Sequence, residues 1–161
     1  MCIVWCVLQN PQKICYNSYM NCKKCEELLN KYRYDSLTGM KLRHDYEEEI
    51  QKLLDNDIKF YYVLWDVNNL HKVNRDLGYS AGDKLIKMCS NIIKDTDFLI
   101  ECYRIGGDEF VSTHSNNPVL IPNKLMTSVT VLSGTANSVS ELVDIADVLL
   151  TKSKYRRRSD R

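Results

Sequence analysis

The run Phe98-Leu-Ile-Glu-Cys-Tyr-Arg-Ile-Gly-Gly-Asp-Glu-Phe-Val-Ser-Thr-His114 decides the fold. Two strand-like segments, Phe98 to Ile105 and Phe110 to His114, stand on either side of Gly106-Gly107-Asp108-Glu109. Gly-Gly between two such segments signals a hairpin, because glycine takes φ > 0 without steric penalty. Upstream, Ile58-Lys-Phe-Tyr-Tyr-Val-Leu-Trp65 is a nearly continuous β-branched and aromatic run of strand length, ended by Asp66. Leu42, Tyr46, Ile50 and Leu53 recur at helical spacing and predict a helix from Gly39 to Leu54. Ala81, Leu85, Met88, Cys89 and Ile92 mark a second helix. Beyond the hairpin, Asn116 to Asn123 carries Pro118 and Pro122 and reads as loop, and Val129 to Leu132 reads as a further strand. Ser138 with Glu141 forms a capping box opening a last helix, on which Leu142, Ile145, Ala146 and Leu149 share a face. Helix, strand, helix, hairpin, strand, helix is an α+β order. Its economical solution is one antiparallel-containing sheet covered on one side by helices.

Two acidic positions sit at strand ends: Asp66 closes the aromatic strand, and Asp108-Glu109 lie in the hairpin tip. If these strands are neighbours, three carboxylates converge above the sheet. Oxygen-only ligands in such a cluster suit Mg²⁺, which keeps waters and shares substrate phosphates. A polar hairpin tip beside an unrelated strand-ending Asp fits the spacing as well, and spacing alone leaves both readings standing.

The composition is that of one globular domain: 161 residues, 44% apolar and 27% charged, with only 6 Gly and 3 Pro. Disordered, collagen-like and linker-dominated architectures are excluded. With 22 basic against 21 acidic residues, net charge is +1, which gives no electrostatic case for nucleic-acid or membrane binding. The apolar opening Met1 to Leu8 lacks a basic flank and is too short to span a bilayer, and a reducing cytoplasm is the expected compartment.

The string Arg104-Ile-Gly-Gly-Asp-Glu-Phe110 resembles the signature of the GGDEF family, the diguanylate cyclases. The resemblance extends to Asp35-Ser-Leu-Thr-Gly39, which is similar to the family's D-x-L-T-G motif. It continues through Asp66-Val-Asn-Asn-Leu-His-Lys-Val-Asn74, Gly78 and Gly82-Asp83, and ends with Ala146-Asp147, Lys154 and Arg158. It divides the chain into a Cys-rich N-terminal leader with a short helix, residues 1–33, and a catalytic domain, residues 34–161. It implies a palm-like fold with a ferredoxin-like βαββαβ core, helices packed on the faces of the sheet, and one helix after the hairpin reduced to a turn.

The activity implied is condensation of two GTP into cyclic di-GMP at a homodimer interface, with release of two pyrophosphates. The alternatives are synthesis of another cyclic or linear dinucleotide, or a degenerate domain that only binds GTP or a cyclic dinucleotide in signalling. Asp66, the Val67 carbonyl, Asp108 and Glu109 are implied to bind Mg²⁺ (or Mn²⁺) and the reacting phosphates. Asp66, Asp108 and Glu109 are the implied catalytic set. Gly106 and Gly107 are implied to let the backbone approach the nucleotide, and Asn74 and Asp83 to read the guanine edge. A carboxylate suits the N1–H and N2–H₂ donors of guanine, which adenine lacks. Lys154 and Arg158 are implied to hold terminal phosphates, and Asn68, Leu70 and His71 join the substrate-binding positions.

Several positions depart from the family pattern. Asn68 stands for its second Asp, Leu70-His71 for Phe-Lys, Arg75 for an Asp and Tyr79 for a His. Asp97 and Ile100 occupy the positions of the R-x-x-D product-inhibition site, so that site is expected to be absent. Of the seven cysteines, Cys2, Cys6, Cys15, Cys22 and Cys25 crowd into the leader. Zinc at Cys6, Cys15, Cys22 and Cys25, a redox-responsive thiol set and plain buried cysteines are all compatible with them. Cys89 and Cys102 fall on expected core faces, and His44 and His114 lack ligand spacing. No residue points to an input signal or a regulatory partner.

Overall fold

A computed structural model describes residues 30–120 and 124–159, the side chains of 157–159 excepted. The chain runs β1 (Lys41–Leu42), α1 (Arg43–Asp55), β2 (Tyr61–Val67), α2 (Leu70–Leu77), α3 (Tyr79–Lys94), β3 (Leu99–Arg104), β4 (Glu109–His114), β5 (Met126–Leu132), a 3₁₀ turn (Ser133–Thr135) and α4 (Val139–Ser159). The sheet order is β1-β3-β4-β2-β5. Among the described strands the β1–β3 pair is parallel, and the β3–β4, β4–β2 and β2–β5 pairs are antiparallel. Taken without β1, this is the ferredoxin-like order with the aromatic strand β2 near the centre.

The position of β2 explains its sequence. Tyr62 and Leu64 point to one face and join Tyr46, Ile50, Val111, Leu142, Ala146 and Leu150 in one core. Val63, Trp65 and Val67 point to the other and join Ile86, Cys89, Ile93, Cys102 and Phe110. A strand buried on both faces reads as a continuous apolar run. The one-sided cover expected from element order is therefore corrected: α1 and α4 cover one face and α3 the other, as the palm-like reading implied.

Four local differences from the sequence reading have physical causes. Lys41 and Leu42, expected in the first helix, are spent on sheet pairing with Tyr103 and Arg104, so α1 starts at Arg43. The short α2 had no separate periodic signal; Gly78, at φ 83°, breaks the helical run and sets α3 at a new angle. Strand β5 begins at Met126 rather than Val129, because Asp66 and Val67 continue the pairing through Thr127 and Met126. Neither Gly106 nor Gly107 has a positive φ. The hairpin therefore does not use these glycines for left-handed backbone, which corrects the reason the sequence suggested for them.

Residues 115–120 and 124–125, between β4 and β5, carry no helix. The Ser138 hydroxyl accepts from the Glu141 N–H at 3.2 Å, and the Glu141 carboxylate returns to the Asn137 N–H at 2.8 Å, a capping box displaced by one residue. Cys89 and Cys102 are buried, and burial pushes both thiols up to about 11. His44 is exposed on α1, whereas His114 is fully buried. Residues 30–33 are helical, and Arg33 Nε lies 3.2 Å from Asp45 Oδ1, so contact crosses the boundary placed after residue 33. Cys2, Cys6, Cys15, Cys22 and Cys25, and with them the zinc and redox expectations, lie outside the described residues.

Candidate active site

The strand register assembles the acidic site. Asp66 and Glu109 are directly opposed on β2 and β4, and the Val67 N–H donates to the Asp108 carbonyl at 2.9 Å. Asp66, Asp108 and Glu109, some forty residues apart in sequence, therefore meet at one end of the central strand pair. The Glu109 carbonyl accepts from both Ile105 and Gly106 N–H groups, at 3.0 and 3.2 Å, which closes the hairpin tip. A Cβ on Gly106 would lie 2.7 Å from Glu109 Oε2, whereas one on Gly107 would meet nothing within 4 Å. Gly106 thus makes room for the Glu109 carboxylate, and Gly107 leaves open space beside it.

A frame of arginines holds the tip. Arg104 donates from Nη1 to both Asp35 oxygens at 3.1 Å and from Nη2 to the Gly107 carbonyl at 2.8 Å. Asp35 also accepts from the Thr38 N–H at 2.8 Å and the Thr38 hydroxyl at 2.6 Å. Burial alone would push the Asp35 carboxyl up; the Thr38 and Arg104 hydrogen bonds outweigh it and hold the group below its ordinary value. Arg43 Nε donates to the Ile105 carbonyl at 2.8 Å from the start of α1. No motif in the sequence marks Arg43, and Arg104 and Asp35 stand in two separate motifs. The available signal was charge complementarity between two motif residues 69 positions apart.

The electrostatics favour a cation. Burial, then the neighbouring carboxylates of Asp108, Asp147 and Asp66, push the Glu109 carboxyl above its ordinary value, with Arg43 opposing. Asp147, on α4, is a fourth acidic group that sequence reasoning did not place at the site. One cation is already present: Lys154 Nζ on α4 lies 2.7 Å from Asp66 Oδ2. Among the described residues no three His, Cys, Asp or Glu side chains form a ready-made metal cage. An oxygen-only, cation-attracting set of this kind fits Mg²⁺ as that ion is commonly held, by one or two carboxylates completed by substrate phosphates.

The other expected positions fall into two groups. Asn74 on α2 packs against Gly82 on α3, the residue before Asp83. Gly82 packs so closely on Asn74 that a Cβ there would sit 1.8 Å from Asn74 Oδ1, an atom buried without a hydrogen-bond partner. Leu70 packs beside the same glycine, and Asp83 and His71 are exposed. Asn68 is turned to β5: Oδ1 accepts from the Thr127 hydroxyl at 2.8 Å and Nδ2 donates to the Lys124 carbonyl at 3.2 Å. An Asp at 68 has no donor for that carbonyl, so this departure has a local structural use. Arg75 pairs with its neighbour Asp76, and Arg158 lies on α4 where side chains are not described. At the position of the product-inhibition motif, the Asp97 carbonyl faces His114 Nδ1 at 2.8 Å and Ile100 is exposed.

A family model described as "Diguanylate cyclase, GGDEF domain" matches residues 32–119. The diguanylate cyclase DgcS of Shewanella oneidensis is 28% identical over 112 residues, covering 65% of this chain and 37% of that protein. The cyclic di-GMP phosphodiesterase NbdA of Pseudomonas aeruginosa is 28% identical over 120 residues, covering 66% of this chain and 15% of that protein. The chain thus spans well under half the length of these relatives. A solved diguanylate cyclase/phosphodiesterase from Caldicellulosiruptor saccharolyticus superposes with a TM-score of 0.65 at 20% identity, covering 80% of this chain and 91% of that one. At that identity the likeness shows the fold alone.

Proposed function

The chain belongs to the GGDEF-domain family, and from that premise we propose that it is a diguanylate cyclase. It condenses two GTP into cyclic di-GMP, with the alternative of a binding-only signalling domain. The observation that carries the reading is the convergence of Asp66, Asp108 and Glu109 at one strand end beside the open space at Gly107. A site that gathers carboxylates, raises one of them and leaves its backbone bare is built for a polyphosphate bound with a divalent cation.

Asp66, Asp108, Glu109 and the Val67 carbonyl would hold Mg²⁺, which when bound neutralises phosphate charge and lowers the pKa of a coordinated hydroxyl. The chain's own residues do the rest. Arg104 and Asp35 fix the hairpin tip so that the carboxylates keep their positions. Asn74 and Asp83 take the guanine edge, and Lys154 leaves Asp66 for the terminal phosphates, a stronger partner for a point charge. Attack of the 3′-hydroxyl of one GTP on the α-phosphate of another forms a phosphodiester and expels pyrophosphate. A second such step closes the ring. One domain holds one nucleotide, so a second copy must face it, and activity requires at least a transient homodimer. GTP as substrate places the activity in the cytoplasm. Among the described residues no helix is long and apolar enough to cross a membrane.

Pyrophosphate release from GTP and Mg²⁺ tests the proposal. Asp108→Ala should abolish release while leaving the melting temperature near that of the wild type. Unchanged release would defeat the assigned mechanism, and tight GTP binding with no release by the wild type would establish the binding-only alternative.

A further inference from the structure

The junction of α2 and α3 carries an exposed aromatic ring that the cyclase reading leaves unused. Gly78, at φ 83°, separates the helices. Tyr79 opens α3 with 81% of its surface exposed, and Leu77 on the other side of the glycine is 73% exposed. Tyr79 and Asp83 stand one helical turn apart and share a face of α3. Between them Gly82 brings α3 onto Asn74, whose Oδ1 is buried without a partner. The aromatic ring and the carboxylate therefore border one exposed face of α3, with the unpartnered Asn74 amide oxygen buried beneath Gly82 beside them.

We propose that Tyr79 is a base-positioning residue that stacks on the face of the nucleobase whose edge Asn74 and Asp83 hold. This rests on the GTP reading above and extends it from phosphate and edge recognition to the plane of the base. Edge hydrogen bonds fix a base within its own plane but leave it free to tilt out of that plane. A phenol ring supplies the perpendicular contact, and because every base has a π-face, stacking adds affinity without choosing the base. The choice of guanine stays with Asp83 and Asn74.

The test compares the wild-type chain, Tyr79→Phe and Tyr79→Ala for GTP, ATP and inorganic tripolyphosphate binding by calorimetry with Mg²⁺ present. Because Tyr79 is exposed, all three proteins should share one melting temperature. Loss of a stacked ring should weaken GTP about tenfold in the Ala variant. The Phe variant should stay close to wild type, the ratio of GTP to ATP affinity should not change, and tripolyphosphate, which has no base, should bind all three equally. Equal GTP affinity in wild type and Tyr79→Ala would overturn the stacking proposal while leaving the GTP site intact. So would a parallel loss of tripolyphosphate binding. Failure of the wild type to bind GTP would overturn both the site reading and the stacking built on it.

Discussion

Lys154 Nζ lies 2.7 Å from Asp66 Oδ2, joining the last turns of α4 to the end of the central strand. The lysine side chain is 39% exposed, so the pair contributes little to stability, and its significance is electrostatic. An ammonium group occupies the place where a divalent cation and phosphates are expected to meet. Replacing Lys154 with Met should therefore tighten Mn²⁺ binding in the absence of nucleotide, by up to about fivefold for a partly exposed charge pair. It should also weaken GTP. Electron paramagnetic titration of free Mn²⁺ reads the first effect directly, and unchanged Mn²⁺ affinity would show that the lysine does not compete.

The Arg104–Asp35 pair should control the geometry of the hairpin tip. Both side chains are about 15% exposed and the guanidinium also holds the Gly107 carbonyl. Arg104→Lys keeps the charge but loses the fork that reaches Asp35 and Gly107 together. A stability loss of about 1–3 kcal/mol in urea unfolding is expected, since the half-buried Asp35 loses the guanidinium fork and keeps its bonds from Thr38. Pyrophosphate release should fall further than that loss explains, because the loop backbone is no longer pinned. A variant with wild-type turnover would contradict the role.

The two hairpin glycines should fail differently. A Cβ on Gly106 must displace the Glu109 carboxylate, a flexible group, so Gly106→Ala should cost turnover with little change in stability. Gly107→Ala meets no protein atom, so stability should stay within about 0.5 kcal/mol. Its effect should appear in GTP affinity, where the new methyl group meets the ligand. Thermal melts and GTP titration of both variants separate the two outcomes.

His114 should make stability pH-dependent. It is fully buried, with Nε2 2.8 Å from Ser112 Oγ, which itself accepts from Trp65 Nε1 at 2.8 Å. The order of donors leaves Nδ1–H to donate to the Asp97 carbonyl at 2.8 Å, so the neutral ring satisfies the whole chain. Burial pushes its pKa below the ordinary value, partly offset by that carbonyl. Above about pH 6.5 neither folded nor unfolded state binds the proton, and the stabilisation is complete. As pH falls below that value the unfolded chain takes the proton first, so stability drops until the folded pKa is passed. Urea unfolding between pH 7.5 and pH 5 should show this slope in the wild type and a shallower one in His114→Gln.

The sequence made some of this legible and hid the rest for identifiable reasons. The β2 strand was readable because burial on both faces removes alternation, and the hairpin because Gly106-Gly107 interrupts two strand-like runs. The convergence of Asp66 with Asp108 and Glu109 followed once β2 and β4 were taken as neighbours. The arginine frame was hidden because its one signal, the opposite charges of Asp35 and Arg104, does not by itself pair two residues 69 positions apart. Helix α2 was hidden by its eight-residue length and by Gly78, and β1 by its two residues. Lys154 was singled out as a phosphate ligand, but its contact with Asp66 depends on how α4 lies against the sheet, which periodicity does not give.

Mass analysis of the products formed from GTP and Mg²⁺ by the full chain tests the central claim most directly. The account predicts conversion of two GTP into one cyclic di-GMP and two pyrophosphates, lost in Glu109→Gln. Recovery of unchanged GTP, or of a linear dinucleotide only, would contradict it.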